Sequence, residues 1–146
     1  MLRRTALLAF LLLTGTAAAS QEQIHRWKTA TIVAPTSLFG DVEVKAGADA
    51  SGNVTSLAVT AQGTTITVPA TWLATLPKVP LASLEVRTER GYDPQPILYV
   101  VFRTGPTTVK GSIDLHVWFQ GGKLTGASLN TYDGAGNSKF EQRKAP

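Results

Sequence analysis

Residues 112–132 read SIDLHVWFQGGKLTGASLNTY, and this stretch decides the fold. Ile113, Leu115, Val117 and Phe119 fall on one side of an extended chain, while Ser112, Asp114, His116, Trp118 and Gln120 fall on the other. A period of two marks a strand with one buried face, because successive side chains of a strand point to opposite sides. Gly121-Gly122 then offers a tight reversal. Leu124–Tyr132 returns as a second strand, in which Thr125, Ala127, Leu129 and Thr131 oppose Gly126, Ser128, Asn130 and Tyr132.

Outward from this hairpin the chain continues to read as strands. Ile97–Phe102 is an unbroken apolar and aromatic run, the pattern of a central strand buried on both faces. Before it, Leu84 and Val86 alternate with Ser83, Glu85 and Arg87, and Gly91-Tyr92-Asp93-Pro94 turns the chain. After the hairpin, the loop Asp133–Asn137 leads to an edge strand over Lys139–Arg143. Toward the N-terminus, Ile24–Val33 is rich in β-branched residues, with His25, Trp27, Thr29, Thr31 and Val33 on one face, and Pro35 closes it by removing a backbone donor. Val42–Ala46 and Val54–Ala61 follow, and Gln62-Gly63 allows a hairpin into Thr64–Val68.

Pro69–Leu76 breaks the period. Pro69 suits a first helical turn, Trp72, Leu73 and Leu76 share one helical face, and Pro77 ends the element. Two turns are unstable alone, so the helix must cover the sheet, with Trp72 as a core plug. The chain is therefore expected to be all-β, a single-domain antiparallel meander of seven or eight strands with one short helix, forming a small barrel or a two-sheet sandwich. Periodicity does not separate these two closures.

The first residues read as an address. Arg3 and Arg4, the apolar run Leu7–Leu13 and Ala17-Ala18-Ala19 match a cleavable signal peptide over 1–19, leaving a β domain over 20–146 with a short N-terminal tail. The apolar run is shorter than the roughly 20 residues a membrane span needs. A released, soluble protein in the periplasm or secreted beyond it is expected, without stable membrane insertion. No cysteine is present, so packing and strand pairing alone must offset a chain entropy of about 1–2 kcal/mol per residue. The formal charge of +4 includes Arg3 and Arg4; without them 12 basic side chains face 10 acidic ones. That is too weak a basic excess for nucleic-acid recognition.

Chemical motifs are few. Ser112, Asp114 and His116 supply the residue types of a hydrolytic triad, but same-face neighbours on a strand stand nearly 7 Å apart, whereas a triad needs contacts near 3 Å. No catalytic residue is assigned; a hydrolase using His116 remains the weakest of the readings. Two imidazoles, His25 and His116, and no thiolates argue against structural zinc, and no metal or other cofactor is expected. Asn130, Asp133 and Asn137 could offer oxygens to calcium around Gly134 and Gly136, but the loop lacks the acidic density of an EF-hand and fits ordinary turn chemistry.

Binding surfaces are the more economical reading. His116 and Trp118 share the polar face of their strand, Tyr132 joins them if the hairpin brings its strand alongside, and Lys123 or Arg103 adds a positive rim. A second surface is the Glu89–Pro96 loop, where Arg90, Tyr92 and Asp93 combine a rigid ring with both signs of charge. These features lead to an exported protein-binding module, an inhibitor or immunity factor acting by steric blocking of an extracytoplasmic protein partner. The alternative is a carrier of a small apolar ligand in a barrel mouth, with Trp27, Tyr99, Trp118 and Tyr132 as cavity aromatics. The Lys139–Arg143 edge could also pair with another copy, although its charges oppose uncontrolled pairing.

Overall fold

A computed structural model describes residues 29–90 and 94–146. The expected leader, His25, Trp27, Tyr92 and Asp93 lie outside the described residues. Two antiparallel sheets form. The first contains β1 (Thr29–Thr36), β2 (Gly40–Ala48), β3 (Val54–Ala61) and β4 (Thr64–Thr67) in that order, and the second contains β5 (Glu85–Arg90), β6 (Pro96–Arg103), β7 (Ile113–Gln120), β8 (Lys123–Tyr132) and β9 (Ser138–Lys144). Each is a meander whose sequence neighbours pair antiparallel.

Among the described residues the two sheets stay separate and no barrel closes. The connection between them explains why. Pro69, Pro77 and Pro80 lack the backbone donor that a continued ladder needs. Between β4 and β5 the chain instead forms the short helix α1 (Ala70–Leu73) and a 3-10 turn (Leu81–Ser83), and enters a new sheet. Pro69 caps α1 rather than occupying its first turn, and only four residues are helical.

Inward residues of both sheets share one core, including Val44 and Val59 of the first and Val100, Phe102, Leu115 and Val117 of the second. Trp72 is buried in it, as a plug should be, and its Nε1–H donates to the Lys144 carbonyl at 2.8 Å. That bond ties the connector to the last strand of the second sheet. Two small voids reach the core: one of about 180 Å³ beside α1, bordered by Leu73, Leu76, Val79, Phe102 and Leu115, and one of about 110 Å³ near Gly121-Gly122.

Both short hairpins have positive φ at both central residues, Gln62 (50°) with Gly63 (77°) and Gly121 (60°) with Gly122 (71°). Such turns match the right-handed twist of the strands they join. Pro35 does not end β1, which runs on to Thr36. Since β1 is an edge strand among the described residues, the missing donor costs no ladder bond on its outer side. Its buried face carries Ala30 and the half-buried Ile32, while Val33 on the opposite face is 58% exposed.

Candidate functional site

The outer face of the five-stranded sheet, turned away from the core, brings together most of the unusual side chains. The pairing register sets them in rows: Arg87, Tyr99, Trp118 and Gly126 form one; Val101, His116, Ser128 and Gln142 form the next; Arg103, Asp114, Asn130 and Phe140 form a third. A bulge helps to shape this face. Trp118 pairs with Gly126 but Phe119 pairs with Leu124, so Thr125 is the extra residue, and a bulged strand bends and twists more strongly. An open groove of about 520 Å³ results, lined by Tyr99, His116, Trp118, Ser128, Phe140 and Gln142. Arg87 and Glu89 of β5 close one side.

Its floor is aromatic. The Tyr99 and His116 rings meet edge to face with centroids 5.9 Å apart, an arrangement favoured by ring quadrupoles. Trp118 lies half-buried over Gly126: a Cβ at Gly126 would meet the indole Nε1 at 3.1 Å and would collide with the Arg143 carbonyl. The indole N–H is buried and meets no acceptor among the described residues. Phe140, on the end strand, is 57% exposed.

A polar cluster ends the groove. Asp114 is buried, and the Tyr132 hydroxyl donates to its Oδ2 at 3.1 Å. Arg103 Nε sits 3.2 Å from Oδ1, yet Oδ1 has no hydrogen-bond partner. The contact is therefore an ion pair off the N–H axis rather than a directed bond. Burial pushes the Tyr132 hydroxyl up, with the Asp114 carboxylate adding to the effect. Burial likewise raises Tyr99, reinforced by Glu89.

Burial also holds the His116 imidazole below its ordinary value; Asp114 opposes this, Arg87 and Arg103 support it, and Glu85 opposes it weakly. The sign of the resulting pH dependence follows. Above the unfolded value of about 6.5 both states hold a neutral ring and His116 makes no difference. As pH falls through that value the unfolded chain takes up the proton first, so stability is lost until the lower folded value is passed. His116→Gln should therefore flatten the stability curve as pH falls below the unfolded value of about 6.5. Urea unfolding of both proteins over a pH series on either side of that value checks it; equal slopes would show that the ring is not desolvated.

The sequence-derived site residues are distributed unevenly. His116 and Trp118 line the groove. Tyr132 stands at its far end on Asp114, not beside Trp118. Lys123 pairs with Gln120 at the opposite hairpin end and is exposed. Arg90 is exposed at the end of β5, while its loop neighbours Tyr92 and Asp93 lie outside the described residues. Ser112 precedes β7 and is buried, with its hydroxyl against Gly105. Tyr99, expected as a cavity aromatic of a barrel, instead faces outward, and Phe140, Ser128 and Gln142 line the groove without a signal in their own strands. Strand parity alone puts Tyr99 opposite Leu98 and Val100, but only the pairing register shows that β9 reaches the same groove.

The Asp133 loop is a closed turn. Asp133 Oδ1 accepts the Ala135 and Asn137 backbone N–H groups at 2.7 and 3.1 Å, and Oδ2 accepts Asn137 Nδ2 at 2.7 Å. The Asn137 side chain, followed by these backbone donors, holds the carboxyl below its usual range. Asn130 lies elsewhere, opposite Asp114 on β8. Among the described residues there is no cluster of three or more His, Cys, Asp or Glu placed to hold a metal, and no helix long and apolar enough to cross a membrane.

Fold and site together define an antiparallel two-sheet β protein with an aromatic-floored groove on one outer face. No family model, curated protein or solved structure matches the chain.

Proposed function

We propose that the chain is an exported protein-binding module, an inhibitor or immunity factor, that blocks a partner's surface through the outer groove. The observation carrying this reading is Trp118. It occupies a solvent-facing sheet surface beside Tyr99, His116 and the exposed Phe140, with its N–H unpaired. Half-buried aromatics on an otherwise polar surface are the residues that anchor interfaces, and a buried unpaired donor costs about 1–3 kcal/mol. An acceptor supplied by a partner, with a modest swing of the indole, relieves that cost. The leader-like residues 1–19 support an extracytoplasmic location for the encounter. Arg90, Tyr92 and Asp93 are a second candidate contact.

The groove is open rather than enclosed, and the core voids of about 180 and 110 Å³ are smaller than the roughly 300–1,000 Å³ of typical ligand pockets. These features favour a protein over a carried small molecule. Affinity capture from the native extracytoplasmic extract, followed by titration of the captured partner, tests the proposal. Trp118→Ala should weaken the complex about 30-fold, the equivalent of a 2 kcal/mol hot spot, with the far-UV spectrum unchanged. Equal affinities for the native protein, Trp118→Ala and Tyr92→Ala would remove the blocker reading. Because His116 faces the same groove, a substrate screen belongs beside this test: turnover lost in His116→Ala would replace the blocker by a hydrolase.

A further inference from the structure

We infer that β9 is a self-complementary edge through which two copies of the chain pair antiparallel, with the two-fold axis at Phe140. Among the described residues β9 is the end strand of its sheet. Its backbone directions can be read from three contacts. Ala145 N–H donates to Thr125 O, and the Arg143 carbonyl faces Gly126, so the odd-numbered residues address β8. Backbone groups alternate in an antiparallel ladder, which turns those of Ser138, Phe140, Gln142 and Lys144 outward. The Trp72 bond to the Lys144 carbonyl lies on that outward side and closes the last of these acceptors. Ser138, Phe140 and Gln142 therefore present an in-phase row of donors and acceptors.

The charges on β9 and the Trp72 bond together choose among four two-fold registers. Centring on Lys139 sets lysine against lysine. Centring on Glu141 sets glutamate against glutamate and Lys139 against Arg143. Centring on Gln142 pairs Glu141 with Arg143, but it sets Phe140 opposite Lys144, whose carbonyl is already taken. Centring on Phe140 leaves no conflict. It sets Lys139 of each copy opposite Glu141 of the other, Ser138 opposite Gln142, and the two exposed Phe140 rings together. Opposite charges directly across a ladder are favourable and like charges are not.

Lys139 and Glu141 already form an ion pair of 2.8 Å within one strand, so pairing extends this contact into a four-charge ladder. Charged edge strands ordinarily resist association; here like charges reject two registers, the occupied Lys144 carbonyl rejects a third, and one is left. The contact is isologous, closing at two copies without propagating. It unites the two five-stranded sheets and sets their outer grooves side by side. This inference does not depend on the blocker reading and is tested with the purified protein alone.

The experiment is sedimentation velocity over a concentration series, with the protein purified from an exporting host. The native protein should show a concentration-dependent monomer–dimer equilibrium. Lys139→Glu sets glutamate opposite glutamate at both symmetric positions and should raise the dissociation constant at least about tenfold. The double exchange Lys139→Glu with Glu141→Lys should restore it to within about threefold of native. Lys139 is largely exposed and Glu141 lies at the sheet margin, so circular dichroism should show all variants folded. A native monomer at every concentration, a Lys139→Glu dimer as tight as native, or a folded double exchange that fails to recover would each overturn the proposal.

Discussion

Phe102→Ala should cost about 3–5 kcal/mol of folding free energy, the largest single-residue effect expected in this chain. Among the described residues Phe102 is the largest side chain with no solvent exposure, and it stands on β6 one residue beyond the last pairing of that strand with β5. It pairs across the ladder with Leu115, and both border the void of about 180 Å³ beside α1. Truncation loses the transfer free energy of the ring and merges its volume with that void. The neighbouring backbone is fixed by the β7 ladder on one side and by the Arg103 N–H bond to the Ser83 hydroxyl on the other, so the site has little room to collapse. With no disulfide to hold the chain and a total stability expected at 5–15 kcal/mol, the loss should lower the thermal midpoint by roughly 10–20 °C. Urea denaturation with Val33→Ala as control checks the claim. Val33 is 58% exposed and should stay within about 0.5 kcal/mol of native. A Phe102→Ala loss below 1 kcal/mol would mean that the two sheets do not pack as described.

The sheet that holds Phe102 was the more legible half of the fold. β6, β7 and β8 follow from an apolar run and from period-two alternation around Gly121-Gly122, because burial of one sheet face is what imposes that period. The closure was not legible. A barrel and a two-sheet stack demand the same alternation of each strand, and the difference rests on whether β4 continues into β5, which prolines and a four-residue helix prevent. Pro35 is a related case: proline ends an inner strand, but among the described residues β1 is an edge, where proline is tolerated.

The candidate site was legible along one strand and illegible across strands. His116 and Trp118 share a face by parity, which needs no knowledge of neighbours. Tyr132 obeys the same parity on β8, yet the register sets it opposite the start of β7, on Asp114. Lys123 sits at the turn, beyond the groove lining. Phe140 and Gln142 enter the groove because β9 pairs with β8 across the Asp133 turn. Such a cross-strand register depends on the loop geometry, which single-strand patterns do not encode.

Gly126 joins the stability of this sheet to the seating of its tryptophan, and Gly126→Ala should disturb both. The residue has an ordinary extended backbone; glycine is required by space. A methyl group there collides with the Arg143 carbonyl on one side and meets the Trp118 indole at 3.1 Å on the other. The carbonyl belongs to the β8–β9 ladder and cannot yield without parting the strands, whereas the indole can lift away. Overpacking of this kind costs about 1–3 kcal/mol, divided between a loosened β9 and a displaced ring. A large aromatic laid over a strand glycine also shields its exposed backbone, a stabilising device of β-sheets, so displacement removes that cover as well. Hydrogen exchange should locate the loosening: amides of the β8–β9 ladder should lose protection, while those of β2 and β3 should keep theirs. Trp118→Phe separates the two contributions, because a smaller ring relieves the contact with the added methyl and leaves the carbonyl collision in place. The double variant Gly126→Ala with Trp118→Phe should therefore recover part of the loss, with coupling of about 0.5 kcal/mol or more. Strict additivity of the two changes would show that the indole does not rest on Gly126, and the groove floor would then have to be drawn without Trp118.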